Sequence, residues 1–268
     1  MRLLKKEKIR KGKKFKFKQF LNVQSIEQLC KLNVQLLTVK NFFRKLPRIL
    51  WKITKWFFIL SIASVIFFRF VPIPFTPLMV IRCVQQKLDG KEIKLKKNWK
   101  SFDQISVTMS LAVMAAEDQN FAEHNGFDFK AIRKAQEYNA KHKGKKLRGA
   151  STISQQTAKN VFLFPARSWV RKGFEVYFTF LIEVFWSKER IMEVYLNVIE
   201  VGDGIYGAEA AAQEYYHKPA KKLSVREAAL IAAILPDPRK RSPVHPTPFV
   251  QQYSQHIIQF MSALNPID

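Results

Sequence analysis

A chain of 268 residues with 46 Lys and Arg against 21 Asp and Glu carries a formal charge of +25. That length holds one anchor and one compact catalytic domain but not two enzymes, and that charge points to polyanionic partners: anionic lipid, phosphate, pyrophosphate or nucleic acid. The two cysteines, Cys30 and Cys83, exclude a disulfide framework or a zinc spacing, and both read as small apolar fillers.

The chain opens on a basic segment, residues 1–48. Over residues 1–55 there are 17 Lys and Arg against only Glu7 and Glu27. The run KKEKIRKGKKFKFK, followed by Phe20, has the composition of an RNA-binding arm. Next to an apolar segment it reads instead as a cytoplasmic stretch drawn to anionic lipid, with no nucleic acid required. Residues 49–71, ILWKITKWFFILSIASVIFFRFV, are expected to form a transmembrane anchor. The uncharged core over 56–68 is short for a span of ~20 residues, but Lys52, Lys55 and Arg69 sit where long cationic side chains reach back to the interface. Trp51 and Trp56 suit the headgroup belt, and no small-x-small cleavage site precedes VPIPFTP. The excess of Lys and Arg before the anchor predicts a single pass with the N-terminus in the cytoplasm and the rest outside. Three prolines in 71–77 begin a stiff linker, expected over 72–98.

Residues 99–250 are expected to be the catalytic domain and 251–268 a C-terminal tail. Apolar periodicity there is helical nearly throughout, so the fold class is mainly α. Ser106 begins a helix with Val107, Leu111 and Met114 inward. Val170, Phe174, Tyr177, Phe178, Leu181, Ile182 and Phe185 fall on one helical stripe. Ser187 caps a further helix, and Ser224 with Glu227 forms a capping box for a helix that Pro236 closes. Neither a βαβ alternation nor a Gly-rich phosphate loop is present.

Three stretches carry candidate chemistry. In AAEDQNFAEHNGFDF, Glu117 and Asp118 end an apolar helix, where partial desolvation raises a carboxylate toward the range of a general base. In RGASTISQQTAKNVF, Ser151, Gln155 and Lys159 recur at i, i+4 and i+8, a polar and cationic face suited to phosphate oxygens. The bland alternative, a solvated helix face, is weakened by the lack of any acidic residue in that stretch. In PARSWVRKGFEVYF, Ser168 begins a helix that brings Glu175 among Arg167, Arg171 and Lys172 at the edge of the apolar stripe. The blocks ERIMEVYLN…GIYGAEAAAQEYYHK and SVREAALIAAILPDPRKRSP read as scaffold, with Asn197 and Glu193 at most orienting their neighbours.

Taken in order, the blocks EDQNFAEHNGFD, GASTISQQTAKN, RKGFE, ERIMEVYLN with GIYGAEAAA, and REAALIAAILPDP resemble those of the monofunctional peptidoglycan glycosyltransferases (glycosyltransferase family 51). That domain is also the N-terminal half of bifunctional penicillin-binding proteins. The resemblance runs over 105–248, with Ser154 where the family often shows Thr; the length leaves no room for a transpeptidase, and RKRSPVHPTPFV also looks like the monofunctional branch. It implies a lysozyme-like, two-lobed helical domain on the outer face of the bacterial cytoplasmic membrane. It implies too a substrate, lipid II, polymerised with inversion into β-1,4 glycan as undecaprenyl pyrophosphate leaves.

By that resemblance Glu117 is the base, Lys159 and Arg167 stabilise the leaving pyrophosphate, and Glu175 is the second functional carboxylate. Substrate contacts fall on Asp118, Phe121, His124, Ser151, Thr152, Gln155, Gln156, Arg171 and Lys172. No cofactor is certain and no protein ligand cluster marks a metal site, although the chemistry accommodates a divalent cation, Mg or Mn. Expected partners are lipid II, the growing glycan strand, anionic membrane lipids and other proteins of cell-wall synthesis or division. Phe162, Leu163, Phe164 and Trp169 are candidates to enter the membrane interface. A muramidase is the rival enzyme, but it calls for a carboxylic acid paired with a second carboxylate and has no use for Lys159 and Arg167. A tethered nucleic-acid or lipid binder leaves the central blocks unexplained.

Overall fold

The computed structural model describes Gln28 and residues 45–142, 149–166 and 168–267. Arg167, Cys30, most of the basic N-terminal segment and most of the KHKGKKLR loop lie outside the described residues. The chain divides into two compact units at Ser61 and Ile62. This boundary falls within helix α1, Lys45–Phe70, whose mean hydropathy of 1.7 and length of 26 residues suffice to cross a membrane. In the first unit its side chains are largely exposed, among them Trp51, Ile53, Trp56 and Leu60.

The second unit starts with the last turns of α1. Trp186 Nε1 donates to Val65 O at 2.8 Å, and Arg190 Nη2 donates to Phe68 O and Val71 O, both at 2.8 Å. Helix α2 (Pro77–Leu88) follows, with Thr76 as N-cap and Pro77 at its first position. The stretch expected as a linker is thus ordered: α2 buries Met79 and Gln86, and strand β1 (Lys96–Lys97) joins a small sheet. Strands β2 (Glu200–Gly202) and β3 (Ile205–Tyr206) complete it in the order β1-β3-β2. Such short strands carry too little alternation to be read from sequence.

The remaining helices are α3 (Val107–Glu117), α4 (Phe129–Lys141), α5 (Ile153–Phe162), α6 (Trp169–Phe185), α7 (Lys188–Val198), α8 (Ala208–Tyr216), α9 (Val225–Ile234) and α10 (Pro248–Met261). Caps fix their starts: Ser106, Asp128, Thr152, Ser168, Ser187, Ser224 and Thr247 each accept a backbone N–H of the first turn. The capping box expected at Ser224 and Glu227 is present, and α7 starts at Ser187 as the sequence predicts. The mainly helical class is as expected.

Two mutually packed groups of helices organise the unit. One comprises α3, α9 and α10, the other α5, α6 and α7. Helix α3 is enclosed on most sides, burying Met109, Ser110, Ala112, Val113, Met114 and Ala115. Val107, expected inward, is 49% exposed, because an almost surrounded helix has no single apolar face. Alanines at 208, 210–212, 228, 229, 232 and 233 are buried and allow α8 and α9 to sit deep in the core. The residues expected as a tail form α10, which buries Val250, Ser254, Ile257 and Met261.

The α6 stripe is divided. Phe178, Leu181 and Ile182 are buried, whereas Val170 is 71% exposed and Phe174 is exposed as well. Phe164 and Trp169 are also exposed, Trp169 at 92%. Phe162 and Leu163, expected alongside them at an interface, pack inside: Phe162 stacks on Phe178 with centroids 4.6 Å apart, and Leu163 is buried.

Candidate active site

Glu117 is the last residue of α3, held at the end of a helix whose alanines and methionines are fixed in the core. Gln156, from the first turns of α5, donates its Nε2–H to Glu117 Oε2 at 2.7 Å. The Tyr195 hydroxyl, from α7, donates to Gln156 Oε1 at 3.4 Å. Burial and then the charges of Glu117 and Asp118 push the Tyr195 hydroxyl well above its ordinary pKa, so it stays protonated and presents a donor to the amide oxygen. That leaves the amide nitrogen to face Glu117. Burial raises the Glu117 carboxyl above the usual range, while the Gln156 bond and the Lys159 charge oppose the rise and Asp118 adds to it. A carboxylate so placed is a better proton acceptor than a solvated one.

Asp118 caps the C-terminus of α3 and is buried. Its carboxylate accepts from Ile153 N at 2.9 Å and from His124 Nε2 at 2.9 and 3.0 Å. His124 Nδ1 in turn accepts from Gly126 N at 3.1 Å. Gly126 has φ +87, and a Cβ there would lie 2.8 Å from Thr179 Cγ2, so both the turn and the packing demand glycine. Its carbonyl accepts the Thr152 hydroxyl at 2.7 Å. Thr152 and Gln155 form the capping box of α5: Gln155 Oε1 accepts from Thr152 N, and Thr152 Oγ1 accepts from Gln155 N, both at 3.1 Å. These groups tie the residue after Glu117 to the start of the helix that carries Gln156 and Lys159.

Lys159 is half-buried, and among the described residues its ammonium makes no ion pair. Burial lowers its pKa most; Arg171 and Lys172 act in the same direction, while Glu175 and Glu117 oppose them. Its charge is therefore felt by both carboxylates. Glu175 is buried, with Arg171 Nη1 at 2.5 Å on one oxygen and the Lys172 ammonium on the other. One turn of helix supplies all three, since Arg171 and Lys172 precede Glu175 by four and three residues.

A cleft of ≈ 830 Å³ opens at Glu117, lined by Asp118, Asn120, Asp128, Lys130, Lys134, residues 149–152, Gln156, Pro236, Phe249 and Tyr253 among others. Of the residues expected at the site, Glu117, Asp118, Ser151, Thr152 and Gln156 line it, and Ser151 is exposed. Phe121, His124, Gln155, Lys159, Arg171, Lys172 and Glu175 do not. Phe121 is fully buried with the Lys188 ammonium 4.7 Å from its ring centroid, and its contacts are those of packing. The shared helical face expected for Ser151, Gln155 and Lys159 does not form: α5 begins only at Ile153, and Gln155 turns back to its cap. Arg167 lies outside the described residues. Asn197 and Glu193 orient neighbours as expected, Asn197 Nδ2 donating to Lys100 O at 2.7 Å and Glu193 accepting from Arg190 at 2.5 Å.

Tyr195, Phe249 and Tyr253 escaped the sequence reading. Tyr195 sat in a block taken as scaffold, and the two aromatics lay across the expected domain boundary. Among the described residues, no group of three or more His, Cys, Asp or Glu is placed to hold a metal ion. Both oxygens of Glu175 are already engaged by cations.

Comparison with known proteins agrees with this arrangement. The family model described as Transglycosylase matches residues 85–262. A biosynthetic peptidoglycan transglycosylase of Bacteroides thetaiotaomicron is 55% identical over 219 residues, 82% of this chain and 88% of its own length. Namesakes from Bdellovibrio bacteriovorus (52% over 210 residues, 78% and 83%) and Pseudomonas aeruginosa (47% over 225 residues, 84% and 96%) are similar. With the match spanning the helices that build the cleft and carry Glu117, Lys159 and Glu175, the chain belongs to the transglycosylase family.

Proposed function

We propose that this protein polymerises lipid II into the β-1,4 glycan strands of bacterial peptidoglycan, releasing undecaprenyl pyrophosphate. Glu117 takes the proton from the 4-hydroxyl of the acceptor sugar as that oxygen attacks the anomeric carbon of the growing strand. The bond from that carbon to the pyrophosphate oxygen breaks, and the configuration inverts from α to β. The leaving group departs as an anion already stable in water, so the site of its departure, beside the cleft, needs positive charge rather than a proton donor. Lys159 supplies that charge with Arg167, and Glu175 holds Arg171 and Lys172 in place. Ser151 and Gln156 contact the donor sugar. A divalent cation, where it takes part, arrives with the pyrophosphate.

The observation that carries this reading is Glu117 itself: half-buried at the cleft, raised in pKa, and pinned by the neutral donor of Gln156. A muramidase would pair its acid with a second carboxylate across the bond, whereas Asp118 is committed to Ile153 and His124, and Asp128 to Ala131 N and Asn120. The expected test is polymerisation of fluorescent lipid II by the purified chain beside E117Q. Long lysozyme-sensitive glycan from the parent and none from the variant supports the assignment. Cleavage of preformed glycan without synthesis overturns it.

The location follows from the same reading. Helix α1 crosses the cytoplasmic membrane with its basic N-terminal side inside, and the cleft works on the outer face. Exposed Phe164, Trp169 and Val170, around the start of α6, then meet the interface that holds the lipid chain of the substrate.

A further inference from the structure

One part of the cleft lining has no task in the transfer chemistry. Phe249, in the first turn of α10, lines the same cleft as Glu117 and is 58% exposed. Its ring is held in place from two directions. Tyr253 stacks on it with centroids 6.1 Å apart and planes inclined by 24°. The Arg241 guanidinium sits 5.1 Å from its centroid. Tyr253 donates its hydroxyl to Ala116 O at 3.1 Å, the carbonyl that immediately precedes the catalytic carboxylate. The aromatic pair is therefore fixed to the backbone that positions the base.

The part of the Phe249 ring that Tyr253 and Arg241 leave exposed is an apolar surface inside a polar cleft, where a ligand with one apolar side fits. The surrounding lining mixes acceptors and donors: the carboxylates of Glu117, Asp118 and Asp128, the amides of Gln119 and Asn120, and the ammonium groups of Lys130 and Lys134. A pyranose ring matches both features, because its axial C–H groups form a flat apolar face and its hydroxyls project from the edge. Flat rings engage such faces by offset stacking. The cations that suit pyrophosphate, Lys159, Arg171 and Lys172, do not line this cleft. Lys130 and Lys134 do line it, but three carboxylates share the lining, which disfavours a phosphate and suits sugar hydroxyls, since these donate as well as accept.

We infer that Phe249, backed by Tyr253, is a stacking platform for a pyranose ring of the growing glycan strand. This subsite rests on the proposed glycan-polymerising reading. It makes α10 part of the substrate groove and gives the polymer a hold on the enzyme between successive transfers.

The test uses the full chain in detergent micelles and peptide-free β-1,4-linked oligomers of the peptidoglycan amino sugars, with binding measured by titration and polymerisation by product length. F249A and F249L are expected to weaken oligomer binding about fivefold each and to shorten the product, while F249W keeps both. Wild-type binding in F249L would show that any apolar side chain suffices and overturn stacking, and wild-type binding in F249A would remove the subsite altogether. Loss of vesicle binding by F249A with oligomer binding unchanged would assign the ring to the membrane and overturn the inference. Phe249-dependent oligomer binding by a parent protein that polymerises nothing would sink the transferase reading but leave the subsite. Polymerisation with no dependence on Phe249 would do the reverse.

Discussion

Glu117, half-buried, and Glu175, buried, both act on the charge of Lys159, yet their surroundings prepare them for opposite work. Glu117 has one neutral hydrogen-bond donor and a lysine charge at a distance, and burial lifts its pKa. Glu175 has a guanidinium on one oxygen and an ammonium on the other. The first is poised to take up a proton, and the second is engaged by the two cations it organises. Burial alone does not make a catalytic base; what matters is how little charge of opposite sign comes with it.

The sharpest way to break this contrast is E117Q. Removing the base is expected to lower polymerisation by about 10²- to 10⁴-fold in kcat/KM, followed with fluorescent lipid II. The same variant reports on stability. Because burial raises the folded-state pKa, the protonated acid's stabilising contribution is present below the unfolded pKa and is lost as pH rises through the folded value. Above that pH the neutral glutamine is expected to melt at higher temperature than the parent. A lower melting temperature there would show that the carboxylate is not strained by its site.

E175Q is expected to act mainly through structure. It leaves Arg171 with no anionic partner on its buried side, at a cost of about 2 kcal/mol in urea unfolding, discounted from a fully buried pair because Lys172 is partly exposed. Normal stability with lost activity would instead make Glu175 a reacting group. D118N comes next, at about 1 kcal/mol, since a neutral acceptor replaces the anion at the first N–H of α5 and at His124.

The smaller effects concern the pH profile. Glu117 must be ionised to act, so the acid limb of kcat/KM is expected above the ordinary carboxylate range. Q156L removes a bond that lowers the Glu117 pKa and should move that limb to higher pH. Y195F should move it the same way by less, by releasing the amide to turn. An unmoved limb in Q156L would show that the rate reports another group.

Much of this architecture is local and was readable in one dimension. Ser106, Ser187 and Ser224 start helices where the pattern places them, since a capping hydroxyl needs only the backbone two or three residues on. Glu117 at the end of an apolar helix was legible for the same reason. The direction in which a polar side chain spends its hydrogen bonds was not. Thr152 and Gln155 bond each other, and Asp118 reaches Ile153, 35 residues away. All three looked equally like substrate ligands in sequence.

By itself, then, the sequence determined the family, the helical class, the long apolar N-terminal helix and the place of Glu117 at the end of an apolar helix, because each is written in short runs of neighbouring residues. Only the tertiary structure decided which polar groups line the cleft. It brought Tyr253 to Ala116 across 137 residues and set Tyr195 behind Gln156. Such contacts depend on how helices pack, which is fixed by the fit of many buried side chains together and not by the pattern along any one of them.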